Sequence, residues 1–265
     1  MTSPVAERQA EVALAGAVVD AVAPVWEAVA SALLWVDARG KSVHRFRPGD
    51  GTDEVVPVPQ QVGAARPRTN GGLALNLRDG IGLREPDGTL RWLVYWHRDG
   101  AHGHDAAVDP AGRLWAGSGD WLVRVEPDGR TTTVPSVARA GRMDWTPDGS
   151  RVYQIDQVRG RIDVLDYDLT TGEATDRRPL CADLGGTPTA LCVDAEHGVW
   201  VAAGATVRRY ATDGALELLV DLPMPATGCC FGGDTLTDLY LTTSNGPLLV
   251  IPDLAPGQPS TRFTG

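Results

Sequence analysis

The sequence predicts an all-β protein, a six-bladed β-propeller with four-stranded antiparallel blades around a central channel. Three observations predict it. A polar turn followed by a short apolar run with Trp or Tyr keeps returning: Asp109-Pro110-Ala111-Gly112-Arg113-Leu114-Trp115, then Thr146-Pro147-Asp148-Gly149-Ser150-Arg151-Val152-Tyr153, then Asp194-Ala195-Glu196-His197-Gly198-Val199-Trp200. Looser versions stand at 31–37 and 233–242. Recurrence every roughly 35–50 residues, one hairpin at a time, marks stacked β units. The 31 Gly and 19 Pro interrupt the chain too often for long helices.

Each element follows from local chemistry. Strand-like apolar runs lie at 33–36, 73–77, 92–96, 122–125, 161–165, 207–210 and 248–251. Between them stand Pro48-Gly49-Asp50-Gly51, Pro86-Asp87-Gly88, Pro127-Asp128-Gly129, Thr171-Gly172 and Thr212-Asp213-Gly214. Pro presets φ for a turn and Gly accepts positive φ, so these are turns with a mechanism. Irregular segments leading into the innermost strands are expected near 21–25, 69–73, 102–106, 140–144, 187–191 and 227–231, which makes six blades. The run 10–19 is read as an outer strand that completes the blade formed by the C-terminal residues, and 1–265 as one propeller domain. Such closure leaves no free sheet edge. A small-molecule site in a propeller draws on the innermost strands, which line the channel.

Composition narrows the partners. A formal charge of −10 argues against nucleic acid and anionic membranes, leaving a small-molecule substrate as the expected partner. The stretch 10–25 lacks a basic leader and carries Glu11 and Asp20, so it is not read as a secretory signal. No apolar run reaches the roughly 20 residues of a membrane helix. Cys181, Cys192, Cys229 and Cys230 show no CxxC spacing, which suits reduced thiols in a cytoplasm. Oligomeric state is not readable.

The phrases Leu34-Trp35-Val36-Asp37 with Val43-His44-Arg45, Val108-Asp109-Pro110-Ala111-Gly112-Arg113-Leu114-Trp115-Ala116-Gly117, Trp145-Thr146-Pro147-Asp148-Gly149, Cys192-Val193-Asp194-Ala195, Cys229-Cys230-Phe231-Gly232-Gly233 and the ending Arg262-Phe263-Thr264-Gly265 resemble the senescence marker protein / gluconolactonase / luciferin-regenerating enzyme family. The resemblance covers essentially the whole chain. It implies a six-bladed propeller holding one divalent cation in the channel and hydrolysing lactones or organophosphate-type esters. The family's cation ligands, a Glu, an Asn and an Asp, fall on Val22, Gly141 and Thr189. A hard cation needs several oxygen ligands with carboxylate countercharge, which these residues do not offer. No cofactor and no metal are therefore expected.

The family's substrate-side phrase falls on His102-Gly103-His104-Asp105-Ala106. Residues at i and i+2 of an extended segment project to one side, and imidazole is suited to proton transfer near pH 7. His102 and His104 are the candidate acid/base pair, with Asp105 and Asp144 assisting. A transition-metal site and a purely structural role stay open for the same pair. Candidate substrate contacts are Arg142, in a family Gly position, then Thr69 and Asn70, Asp156 at the end of an apolar run, Thr189 and Trp121. Trp96 and Trp121 stand outside the repeat pattern and are expected to wall a pocket. His44, Cys229 and Cys230 are read as structural.

The leading reading is a metal-independent enzyme acting on a small organic molecule, by lactone or ester hydrolysis. Without a metal to activate water, cyclisation or isomerisation becomes comparable, and the metal-free strictosidine-synthase-like propellers look like a precedent. The Ala/Arg/Gly/Asp-heavy composition associates the chain with bacterial specialised metabolism. The rival is a non-catalytic propeller that binds a small ligand.

Overall fold

The computed structural model describes residues 8–96, 102–119, 121–134, 142–181 and 183–265. Its strands begin with β1 (Glu11–Val18). Blade one holds β2 (Ala21–Glu27), β3 (Ala32–Asp37), β4 (Ser42–Arg47) and β5 (Thr52–Pro57). Blade two holds β6 (Val62–Pro67), β7 (Leu73–Leu77), β8 (Gly80–Arg84) and β9 (Leu90–Tyr95). Blade three holds β10 (Gly103–Val108), β11 (Leu114–Ser118), β12 (Trp121–Val125) and β13 (Thr131–Val134). Blade four holds β14 (Met143–Trp145), β15 (Arg151–Asp156), β16 (Arg161–Asp168) and β17 (Glu173–Cys181). Blade five holds β18 (Pro188–Val193), β19 (Val199–Ala203), β20 (Thr206–Tyr210) and β21 (Leu216–Asp221). Blade six holds β22 (Ala226–Gly232), β23 (Asp238–Thr243) and β24 (Gly246–Ile251), with β1 as its outer strand.

All six sheets are four-stranded and antiparallel, and the first strand of each blade packs on that of the next. β2 meets both β6 and β22, so the ring closes. One 3-10 turn, Ala28–Ala30, is the only helix among the described residues. The six-bladed all-β architecture read from the repeats is the one observed. Inner and middle strands lose the two-residue alternation because adjacent blades cover both faces; β7 and β19 are buried throughout. The rim strands β5, β9 and β21 keep exposed positions.

The recurring phrase is a clamp between a turn and a strand. Asp109, fully buried, accepts the indole N–H of Trp115 (3.0 Å) and the backbone N–H groups of Ala111 and Arg113 (2.9 and 3.0 Å). Asp194 does the same for Trp200 (2.8 Å), Glu196 (2.9 Å) and Gly198 (2.7 Å). The six-residue Asp-to-Trp spacing lets one carboxylate satisfy the turn and anchor the strand after it.

At one end of the channel the innermost strands break register. Bulges separate Val22 from Val25, Val62 from Ala64, Gly103 from Ala106, Pro188 from Ala190 and Ala226 from Gly228. Each bulge re-aims one or two side chains at the same level. At the opposite end the C-terminal segment lies across the blades. Ala195 donates its N–H to Pro256 (2.8 Å), Gln258 to the Trp145 carbonyl (2.7 Å), Phe263 to Pro67 (2.9 Å) and Thr264 to Gly112 (3.1 Å). Phe263 is fully buried.

Candidate active site

The bulges of blades one, two and three border a cavity of about 390 Å³ lined by blades one to four. Its wall includes Asp20, Val22 and Ala23, then Gln61 and Gly63, then His102, His104 and Asp105, then Arg142 and Gln157. A smaller inner cavity of about 110 Å³ lies further along the channel; Arg66, Asp144, Cys192, Cys229, Cys230 and Ser260 line it. Asp105 and Ala23 line both.

The structure brings four sequence candidates together. The His102 and His104 rings meet edge to face, centroids 4.4 Å apart. Between Gly103 and Ala106 the strand bulges, and Asp105 turns inward to receive the Arg66 guanidinium (2.9 Å) and its neighbour Ala106 N–H (2.8 Å) on one oxygen. Arg66 also donates to the carbonyls of Ala23 (2.9 Å) and Ala65 (3.0 Å), which ties blades one, two and three at the wall of the site. Although 24% of the Asp105 side chain faces the cavity, surrounding protein displaces bulk water and pushes its carboxyl above the usual range. Arg66 and Arg142 pull it back. Burial lowers the Arg142 guanidinium against the pull of Asp105.

Backbones crowd here. A Cβ on Gly103 would stand 2.5 Å from the Asn76 carbonyl oxygen, and one on Gly63 would strike the His104 carbonyl. Asn76, fully buried, donates to the carbonyls of His104 (2.8 Å) and Gly117 (2.9 Å), which holds the histidine-bearing strand in place.

The remaining candidates lie elsewhere. Asp144 lines the inner cavity, where its oxygens accept the N–H of Trp145 (2.9 Å) and of Val193 in blade five (2.8 Å). Burial nevertheless pushes its carboxyl up to about 6. Thr69 and Asn70 correct the expectation for blade two. The innermost strand is β6, and these two residues follow its far end, where Thr69 N–H bonds Phe263 and the Asn70 side chain accepts from Gly72. Asp156 closes a turn, bonding the Arg159 backbone (3.0 Å) and guanidinium (2.8 Å). It points to neither cavity's lining. Trp121 packs edge to face on Trp96, centroids 5.3 Å apart, against the core of blades one to three. His97 and Gly141 lie outside the described residues. Arg66, Asp20, Gln61 and Gln157 line the cavities without having been singled out.

Two of the positions that the resemblance assigns to cation ligands are described, and neither fits that role. Val22 lines the cavity with a hydrocarbon side chain. The Thr189 hydroxyl sits on a bulge between the carbonyl oxygens of Ala226 (2.6 Å) and Ala202 (3.1 Å), stitching blade five to blade six. The Thr227 hydroxyl repeats this stitch to Ala21 of blade one. Among the described residues no three His, Cys, Asp or Glu side chains gather as a ligand set. With Asp105 held by Arg66 and a second guanidinium at the wall, this donor set does not fit a hard divalent cation.

Residues 21–245 match the family model described as the SMP-30/gluconolactonase/LRE-like region. The chain belongs to this family. It is 31% identical over 244 residues to regucalcin of Xenopus laevis, covering 83% of this chain and 82% of that protein. It is 30% identical over 241 residues to a 6-deoxy-6-sulfogluconolactonase of Pseudomonas putida, covering 83% and 82%. Among solved structures, a luciferin-regenerating enzyme superposes with a TM-score of 0.90 at 22% identity, covering 97% of this chain and all of that one. A calcium-binding regucalcin from Agrobacterium tumefaciens gives 0.89 at 20%, covering 97% of each. Family membership and the propeller stand together, and no described helix is long and apolar enough to cross a membrane.

Asp144 makes a pH prediction. In the fold it keeps its proton to about pH 6, whereas an unfolded carboxyl releases it near pH 4. The folded state therefore binds more protons in that window, and this group's contribution to stability falls as pH rises through it, by of order 3 kcal/mol at most. Asp105 shifts in the same direction. Asp144→Asn is expected to lower Tm throughout, because one acceptor for Val193 or Trp145 is lost, and to flatten the decline between about pH 4.5 and pH 7. Thermal melts across that range test it, and an unchanged slope rejects it.

Proposed function

We propose that this protein is a lactone hydrolase of the gluconolactonase type whose histidine pair does the proton transfer without a divalent cation. The observation that carries the reading is the edge contact of His102 and His104 beside the Asp105–Arg66 ion pair on the wall of one cavity. The lactonase named among its relatives supports the reaction class. A cavity of about 390 Å³ suits a five- or six-membered lactone.

The steps use this chain's own groups. His104 takes a proton from water as the oxygen attacks the lactone carbonyl carbon. The His102 N–H faces the carbonyl oxygen as it gains charge. Collapse of the tetrahedral intermediate breaks the acyl–oxygen bond, and His104 returns the proton to the departing ring oxygen. A hydroxy acid leaves. Asp105, fixed by Arg66, holds negative charge beside the imidazoles and favours the imidazolium formed midway.

The same proton transfers would serve a cyclisation or isomerisation, which product analysis separates from hydrolysis. Titrimetric hydrolysis of D-glucono-δ-lactone with and without chelator is the test. Rates should survive chelator and fall about 10²–10⁴-fold in His104→Ala, with a smaller loss in His102→Ala. A chelator-sensitive rate sinks the metal-free mechanism. Unchanged rates in both variants sink the histidine roles and leave a ligand-binding propeller.

A further inference from the structure

We propose that Arg142 is an anion subsite and that the substrate carries an anionic oxygen group, a carboxylate or its sulfonate or sulfate equivalent. Arg142 stands just before β14, and its carbonyl is fixed by the Ile155 N–H (3.1 Å). Its side chain lines the outer cavity on the blade next to the histidines.

The charges of the wall do not cancel around it. Arg66 and Asp105 neutralise one another at 2.9 Å. Asp20 faces Arg39 at the rim, 3.7 Å away. The Arg142 side chain makes no ion pair or hydrogen bond among the described residues, and Asp105 and Asp20, each already paired with another arginine, pull on it only through space. A half-buried guanidinium with no counterion in contact is costly to hold, so a site that keeps one has a use for an anion. The chain as a whole carries −10 and repels anions, which makes a guanidinium with no contact partner inside a cleft a local selector. The planar fork of Arg suits a carboxylate or sulfonate in two-pronged fashion.

This rests on the lactone reading only for the size of the molecule, and the subsite itself is tested without turnover. Calorimetric binding of D-gluconate, neutral D-glucitol and inorganic sulfate is measured on the wild type, Arg142→Gln and Arg142→Lys, each first checked for an unchanged melting profile. Gluconate is expected to bind at least about 10-fold tighter than glucitol, and sulfate to compete with it. Arg142→Gln should bring the two polyols within about 2-fold, and Arg142→Lys should retain part of the preference because charge remains while the fork is lost. Sulfate binding that depends on Arg142 without gluconate binding upholds the subsite and overturns the sugar-lactone size. Equal binding of gluconate and glucitol, a preference that survives Arg142→Gln, or no binding of either anion overturns the subsite.

Discussion

Asp109→Ala is expected to destabilise the propeller by about 4 kcal/mol or more, lowering Tm by roughly 8–16 °C. The carboxylate has no exposed surface and accepts five hydrogen bonds. Two come from the backbone of Ala111 and Arg113, and three from side chains: Arg113 Nε (2.7 Å), Trp115 Nε1 (3.0 Å) and the Tyr167 hydroxyl (2.6 Å). Removing it leaves the Arg113 guanidinium buried with the Tyr167 hydroxyl and the carbonyls of Leu169 and Thr170 as partners but no carboxylate in contact. It also orphans an indole N–H beneath the edge-to-face cluster of Trp115, Trp145 and Tyr167. Asp194→Ala removes an equivalent acceptor, yet Arg209 keeps Glu196 and Glu217 on its exposed side. Its loss should therefore be clearly smaller. Denaturant melts of both variants give the order, and Trp115→Phe, which removes one bond, gives a folded reference near 1–2 kcal/mol. Equal losses for Asp109 and Asp194 would refute the role of trapped charge.

The phrase that carries that clamp was readable as a repeat because its parts are local, an Asp, a tight turn and a Trp six residues on, while the carboxylate's bonds to turn and indole emerged only in the structure. The histidine-bearing segment was readable for a related reason, since position within a repeat places His102, His104 and Asp105 at one level of the ring. Blade two was misread because β6, Val62-Gly63-Ala64-Ala65-Arg66-Pro67, is buried on both faces and shows no alternation. Its small residues reflect contact with the neighbouring backbone, as Gly63 shows against His104. Asp156 looked directed at the channel because it ends an apolar strand, while its partner, Arg159, lies three residues on. Arg66 carried no local signal at all. Its partners Ala23 and Asp105 are 43 and 39 residues away in the chain, and a lone Arg before Pro reads as a turn.

Arg66→Met should therefore damage both fold and chemistry, and pH should separate the two effects. Breaking one side of a buried ion pair costs about 3–5 kcal/mol when the remaining charge stays buried. Asp105, already pushed upward by its surroundings, loses the larger of the two cations that pull it down. Its folded carboxyl then holds a proton to still higher pH. The folded variant binds more protons than the unfolded chain over a wider window, so its deficit against the wild type should grow as pH rises and shrink in acid, where Asp105 is neutral in both. Adding Asp105→Asn should recover much of the loss at neutral pH, because no charge is then buried alone. Denaturant melts at acidic, neutral and basic pH, run on the two single variants and the double variant, measure this coupling. For catalysis, a mechanism that needs ionised Asp105 beside the imidazoles moves the acid limb of the pH–rate profile upward in Arg66→Met. A pH-independent deficit with an unmoved acid limb would reduce Arg66 to a tie between blade backbones, with Ala23 and Ala65 as its only partners that matter.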